Sequence, residues 1–402
     1  MRSLAGLKVL DFAWVMAGPL VGRALADFGA TVVRVESAKR PDVFARHLGP
    51  FPNGKFSAQQ SGLFENCNVG KFGLALDLSR EEGRIIAREL AIWADVVIES
   101  FAPGQMSRFG LDYESLRALN PRIIMLSTSL MGQSGPYGKM VGFGSAGAAL
   151  AGFLLLTGNP GEFPIGTFGA YTDFVAPRFS LFMLLAALEH RERTGEGTLI
   201  DVAQTEASLQ FLAPQIAHYC ESGQVAQALG NRDPAFAPHG VFPALGECRW
   251  VAIVARNDAE WIRLAEHIDQ PQLGQDSRFA TLAARKANED ALESIIADWT
   301  RHRQAEDIER DLQTQGVPAH VVASSPDLLV DPQLQKRGHF VRLPHSLGET
   351  VVESARYQLS ETPARYDRSA PPPGRDNDYV LRELLGYSRH RVAALKESGA
   401  LT

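Results

Sequence analysis

Short apolar runs alternate with helix-length amphipathic stretches through the first third of the chain. Lys8–Phe12 reads as a strand, Gly18-Pro19 opens a helical stretch that stops at Phe28-Gly29, and the β-branched run Thr31–Val35 is a second strand. Strand, helix and strand in so short a span make a βαβ unit, whose handedness implies a parallel sheet. Ser79-Arg-Glu-Glu82 has the spacing of a capping box and predicts a helix that reaches Trp93. Asp95–Glu99 and Arg122–Ser127 supply two more strands of the buried type, with a helix over 113–119 between them. The predicted class is α/β, doubly wound.

The pattern then changes twice. From Gly142 to Gly169 the residues are small, apolar and rich in glycine, which fits either tight packing or a surface where backbone approaches a ligand. Phe174–Arg193 follows as a long helix, apolar all round and so expected to be buried, with Gly195 as its stop. Glu221–Pro243 has no clean period and reads as a linker. Beyond it, a strand at Trp250–Val254, a second capping box at Asn257–Glu260 and charged helices near 258–268, 287–300 and 304–315 describe a smaller α+β domain. The predicted domains are 1–220, a linker and small domain over 221–325, and a C-terminal part, 326–402, that returns to the large domain.

Composition narrows the function. The chain has 402 residues, 45% hydrophobic and 21% charged, enough for a large core and too apolar for disorder. A formal net charge of −6 leaves no basic excess to grip a phosphate backbone, so no nucleic-acid partner is expected. Three cysteines, Cys67, Cys220 and Cys248, lie far apart without a CxxC pair, as cytosolic thiols do, and no metal site is expected. The apolar runs Ala146–Thr157 and Phe179–Leu188 are shorter than the roughly 18 residues a membrane span needs, and no leader-like segment opens the chain. A cytoplasmic protein without membrane partners is the expectation.

Familiar catalytic motifs are absent: there is no GxxxxGK[ST], HExxH or GxSxG. The first strand–helix turn, Trp14–Gly22, holds only Gly18 and Gly22 and lacks the three-glycine dinucleotide fingerprint. Asp173 stands out. Pro177 belongs in the first turn of a helix, so the long apolar helix is expected to begin near Ala176, with Asp173 just ahead of it. There, free N–H groups and the helix dipole favour the ionised carboxylate. Such a group can attack an activated acyl carbon, and it can equally serve as an N-cap. His239 falls in the linker, and Lys71, Arg108 and Lys139 are either phosphate ligands or solvated surface charges.

A family resemblance enters with the order of many short pieces. Leu7-Lys-Val-Leu-Asp11, Ala17-Gly-Pro19, Ala26-Asp-Phe-Gly-Ala30 and Val33-Arg-Val-Glu36 resemble the opening of class III CoA-transferases, the formyl-CoA and carnitine CoA-transferase family. Ala94–Glu99, Pro103-Gly104, Arg108–Tyr113, Gly132–Tyr137, Arg193-Thr-Gly195 and Asp331–Gly338 continue it along nearly the whole chain. The resemblance implies a Rossmann-like large domain, a small domain and two interlocked chains, a homodimer or a heteromer with a homologue. It implies transfer of CoA from an acyl-CoA to a carboxylic acid through a covalent aspartyl-CoA thioester on Asp173. Val15, Met16, Lys71, Phe101 and Arg108 would hold CoA, with Lys71 and Arg108 on phosphates. Coenzyme A enters as a substrate moiety, and no tightly bound cofactor is implied. An acyl-CoA racemase or isomerase on the same fold, or a non-catalytic CoA-binding subunit, are the alternatives.

The chain departs from the family pattern in places. Ser100-Phe-Ala-Pro-Gly104 stands where many members have Asn-[FY]-Arg-Pro-Gly, and Asn66–Lys71 is two residues longer than usual. Met16 replaces the glutamine of formyl-CoA transferases, and the run of four glycines is missing, which argues against formate and oxalate. No racemase-type histidine stands near Val141–Gly144. Gly169–Arg178 is most similar to transferases that use succinyl-CoA and dicarboxylic acceptors such as benzylsuccinate, citramalate or mesaconate.

Overall fold

The structure is a computed structural model that describes residues 2–402. It opens with the expected unit: β1 (Lys8–Asp11), α1 (Ala17–Asp27) and β2 (Thr31–Glu36). Two short helices, α2 (Val43–His47) and α3 (Gly62–Asn68), precede β3 (Phe72–Ala75), α4 (Glu81–Trp93) and β4 (Val96–Glu99). Then come α5 (Gln105–Phe109), α6 (Tyr113–Leu119), β5 (Ile124–Ser129), α7 (Gly144–Leu150), α8 (Tyr171–Thr194), β6 (Thr198–Ala203) and α9 (Gln204–Leu209).

The six strands form one parallel sheet in the order β3-β2-β1-β4-β5-β6. The order reverses between β1 and β4, which opens a crevice at the carboxyl ends of those strands. One face is covered by Val21 and Leu25 of α1 and Ala176, Leu184 and Ala187 of α8. The other face is covered by Ile86 and Leu90 of α4 with Val380, Leu381 and Val392 from the chain's end. Both faces of each central strand are therefore dry, which is why these strands read as unbroken apolar runs rather than as alternation. The edge strand β3 is closed by side chains of the C-terminal part. The Gly73 N–H donates to Asp376 at 2.8 Å, and the Ala75 N–H to Asn377 at 2.9 Å.

By contacts the chain divides into two units, one of residues 1–153, 166–224 and 332–402, the other of 154–165 and 225–331. The segment Leu154–Ile165 thus belongs with the second unit rather than with the first part of the chain. That unit holds an antiparallel sheet of His239–Pro243, Trp250–Val254 and Ala319–Val321. Helices Asp258–His267, Glu289–Thr300 and Ala305–Thr314 share a core with it around Trp261. His239 is therefore in a strand and not in a linker, its Nδ1 2.6 Å from the Asn231 carbonyl.

Three local expectations are corrected. Ser79 does not cap α4; its hydroxyl bonds the Asp77 carboxylate at 2.6 Å, and Arg80 takes the cap position without a side-chain bond. The long helix begins at Tyr171, five residues earlier than Pro177 seemed to allow, with Ala170 at its N-cap. Asp173 is thus inside the first turn, and Pro177, inside the helix, has no N–H to give the Asp173 carbonyl. Finally, α8 is only half buried. Its inner side packs on the sheet, whereas Phe182 is 70% exposed and Phe174, Met183 and Leu185 are also open. By length and composition alone α8 is long and apolar enough to cross a membrane, as the core helix of a globular domain also can be, and 44% of that stretch is buried.

Candidate active site

The first strand–helix turn is held from three sides. The Asp11 carboxylate accepts the Ala13 N–H at 2.9 Å, and the Ser100 hydroxyl accepts the Trp14 N–H at 2.9 Å. The Val15 N–H donates to Asp42 at 2.7 Å. Asp42 is in turn paired with Arg34 at 3.0 Å, both side chains being buried. Glycines allow α1 to lie close beneath. A Cβ at Gly18 would stand 2.3 Å from that of Ala13, and one at Gly22 would stand 2.9 Å from an Asp11 oxygen. Both glycines serve helix–strand packing here.

Lys71 explains the second of these contacts. It is fully buried, and its ammonium donates to Asp11 at 2.7 Å, to the Pro19 carbonyl at 2.8 Å and to Asn68 at 2.8 Å. An ammonium has three donors, and all are used, so the expectation that Lys71 meets a phosphate is corrected to a structural role. Burial pulls its pKa down to about 8 although Asp11 opposes the shift.

Asp173 is 5% exposed. One carboxylate oxygen accepts the Gly144 N–H, at the start of α7, at 3.0 Å. The approach depends on small residues. A Cβ at Gly144 would lie 2.5 Å from the Ala170 carbonyl oxygen and 2.8 Å from the Asp173 nitrogen, and one at Gly147 would lie 2.5 Å from the Thr172 hydroxyl. Thr172 also bonds Gln204 at 3.3 Å, fixing the amide that faces Asp173. Burial pushes the Asp173 carboxyl from its ordinary 3.8 up to about 6, with the Gly144 N–H and then Gln204 pulling it partly back. Dehydration outweighs the helix N-terminus, so the group is less readily ionised than the sequence reading supposed. It remains mostly a carboxylate at neutral pH.

The other expected residues divide between two places. Val15 and Met16 pack with Leu20 and Cys67 against Ala170, the N-cap of the Asp173 helix. Phe101 lies in the crevice at the strand ends, edge-on to Trp14 at 5.8 Å. That crevice measures about 800 Å³ and is walled by Trp14, Phe101 and Phe109, with Lys39, Arg40 and Arg80 at the polar side. Arg108 is exposed on α5 beside Phe109. Lys39 and Arg80 share Asp77, at 3.3 and 3.9 Å. The sequence reading missed these three cations. Their signal was position: each follows the end of β2 or β3, where a parallel sheet receives its ligand. Glu99, also at a strand end, was missed as well. Its carboxylate accepts the Phe101 N–H at 2.8 Å, and burial raises it to about 7.

Among the described residues no cluster of His, Cys, Asp and Glu could hold a metal ion. The arrangement instead offers a dry, nearly uncompensated carboxylate for attack on an acyl carbon, and a long crevice with aromatic walls and a cationic side.

Comparison with known proteins identifies the family. A family model described as CoA-transferase family III matches residues 4–377. The chain is 33% identical over 396 residues to the succinyl-CoA–D-citramalate CoA-transferase of Chloroflexus aurantiacus, covering 98% of this chain and 97% of that one. It is 35% identical over 389 residues to the succinate–glutarate CoA-transferase of Agrobacterium fabrum, covering 96% of each. The crystal structure of a CaiB/BaiF family protein from Brucella suis superposes with a TM-score of 0.88 at 33% identity, covering 95% of this chain and 99% of that one. The α/β architecture, the six-stranded parallel sheet and the match along nearly the full length lead to one assignment: the chain belongs to CoA-transferase family III.

Proposed function

We propose that this enzyme moves CoA from succinyl-CoA to a second dicarboxylic acid, using Asp173 as nucleophile. The observation that carries the reading is the Asp173 carboxylate, buried without a cation and held by the Gly144 N–H. The carboxylate attacks the donor thioester carbonyl, expelling CoA thiolate and forming a mixed anhydride. The thiolate then attacks the aspartyl carbonyl, giving an aspartyl thioester and releasing the donor acid. The acceptor carboxylate attacks that thioester, and the freed thiolate takes the acceptor's acyl carbon, which returns Asp173 to its carboxylate. Each hard exchange is split into two easier ones. A poorly solvated carboxylate is the more reactive one, and the Gly144 N–H is placed to orient it.

The CoA nucleotide fits the crevice at the strand ends, its base against Trp14 and Phe101 and its phosphates toward Lys39, Arg40, Arg80 and the exposed Arg108. The Val15–Met16 turn, packed on Ala170, then lies along the way to Asp173. Support for dicarboxylates comes from the two relatives, whose names pair succinate or its thioester with citramalate and glutarate. A second copy of the chain is the proposed cover for the open face of α8, and sedimentation velocity should find a dimer.

Mass spectrometry tests the nucleophile. Succinyl-CoA with hydroxylamine should convert Asp173 to a hydroxamate and leave Asp173→Ala unmodified. An unmodified enzyme, with Asp173→Ala turning over normally, would end this reading.

A further inference from the structure

Val15 adopts a left-handed backbone, with φ at 63°. For a β-branched residue that is a genuine outlier, and such a conformation persists only where its surroundings over-determine it. Here they do. The two residues before it have their backbone groups taken: the Ala13 N–H by Asp11, the Ala13 carbonyl by Arg34 at 2.6 Å, and the Trp14 N–H and carbonyl both by Ser100. The strained residue itself is held by one side chain. The Val15 N–H donates to Asp42, whose carboxylate is fully buried and also takes Arg34 and the Ala45 N–H at 3.2 Å. Asp42 is fixed in turn, its own N–H donating to Glu36 at 2.9 Å.

Resting on the CoA-transferase reading above, we propose that Asp42 is a positioning residue that holds Val15 left-handed and so presets the first strand–helix turn for coenzyme A. Asp42 touches no substrate. It acts by removing an alternative: without its oxygen the Val15 N–H has no buried acceptor, and the turn relaxes to an extended form that presents a different surface. Ser100 belongs to the same clamp. Its hydroxyl bonds both polar groups of Trp14, the residue before Val15.

The test is a double-mutant cycle on CoA affinity, measured by titration calorimetry with free CoA and by steady-state kinetics. Asp42→Ala should weaken CoA binding about tenfold or more and raise KM for the acyl-CoA, with kcat changed by less than about threefold. Val15→Gly in that background should recover most of the loss, because glycine reaches positive φ without a steric cost. Val15→Ala should not, because it removes the same methyl groups and keeps the Cβ. Asp42→Asn, with one oxygen for three donors, gives a smaller loss and serves if the alanine variant does not fold. Rescue by glycine alone supports the proposal. Equal recovery with alanine and glycine, or no recovery with either, overturns it while leaving the transferase reading standing. A wild-type chain that binds no CoA overturns both.

Discussion

Two buried aspartates of the same parallel-sheet unit are treated in opposite ways. Asp11, at the end of β1, faces a buried ammonium at 2.7 Å and a backbone N–H at 2.9 Å. Asp173, in the first turn of α8, has one N–H at 3.0 Å and an amide nearby, and no cation among the groups that shift its proton affinity. The first is neutralised as a structural charge is; the second is left costly. A carboxylate needed only for architecture gains from an ion pair, whereas one that must attack a carbon would be quenched by it.

Exchanging the two environments gives the largest expected effects. Asp173→Asn should lower transfer by more than about a thousandfold, since no other carboxylate takes its place. The same change should leave the melting temperature unchanged or raise it, because a carboxyl raised from 3.8 to about 6 costs the fold up to about 3 kcal/mol when charged. Lys71→Met should do the reverse, destabilising the fold by about 3–5 kcal/mol by stranding Asp11. Adding Asp11→Asn should return part of that loss in chemical denaturation. If Lys71→Met melts normally and loses only CoA affinity, Lys71 is a ligand after all.

Smaller changes sharpen the contrast. Gly144→Ala should reduce turnover about 10–100-fold, because the added methyl displaces the N–H that holds Asp173, the proposed nucleophile. It should also move the acid limb of the pH profile upward, since losing a donor disfavours the charged form. In the parent enzyme, kcat/KM should fall about tenfold per unit below pH 6 as Asp173 takes its proton. The sign of the stability effect is opposite. The folded group binds its proton more tightly than the unfolded one, so acidification from about 6 towards 3.8 favours the fold at this position while removing activity. Last, Lys39→Ala or Arg80→Ala should raise KM for the acyl-CoA about 3–10-fold, and less at high salt, since both cations are half exposed.

How much of this was legible in the chain depends on range. The βαβ opening and its strands were readable because a strand buried on both faces is one continuous apolar run, as Val32 with Val33 and Val96 with Val97 show. Asp173 was readable as a carboxylate near a helix start, but its position in that helix was not. The rule applied to Pro177 concerns a hydrogen bond the helix can forgo once tertiary packing holds it. Ser79 failed as a cap because Asp77, two residues before it, competed for the hydroxyl. Lys71 could not be placed at all from sequence, since Asp11 and Pro19, two of its three partners, lie far off along the chain and meet it only in the folded sheet. The outer face of α8 was misread for a related reason: an all-apolar helix says that every side is to be covered, not that this chain does the covering.

The closure of β3 by Asp376 and Asn377 has a consequence for how the molecule is made. During synthesis the sheet's strands emerge long before the residues that seal their outer margin. Until those arrive, β3 offers unsatisfied N–H groups to any neighbouring polypeptide, a template for mispairing. A chain whose C-terminal part has not yet folded onto the sheet is thus open to mispairing along β3, and the docking of Asp376 and Asn377 removes that exposure.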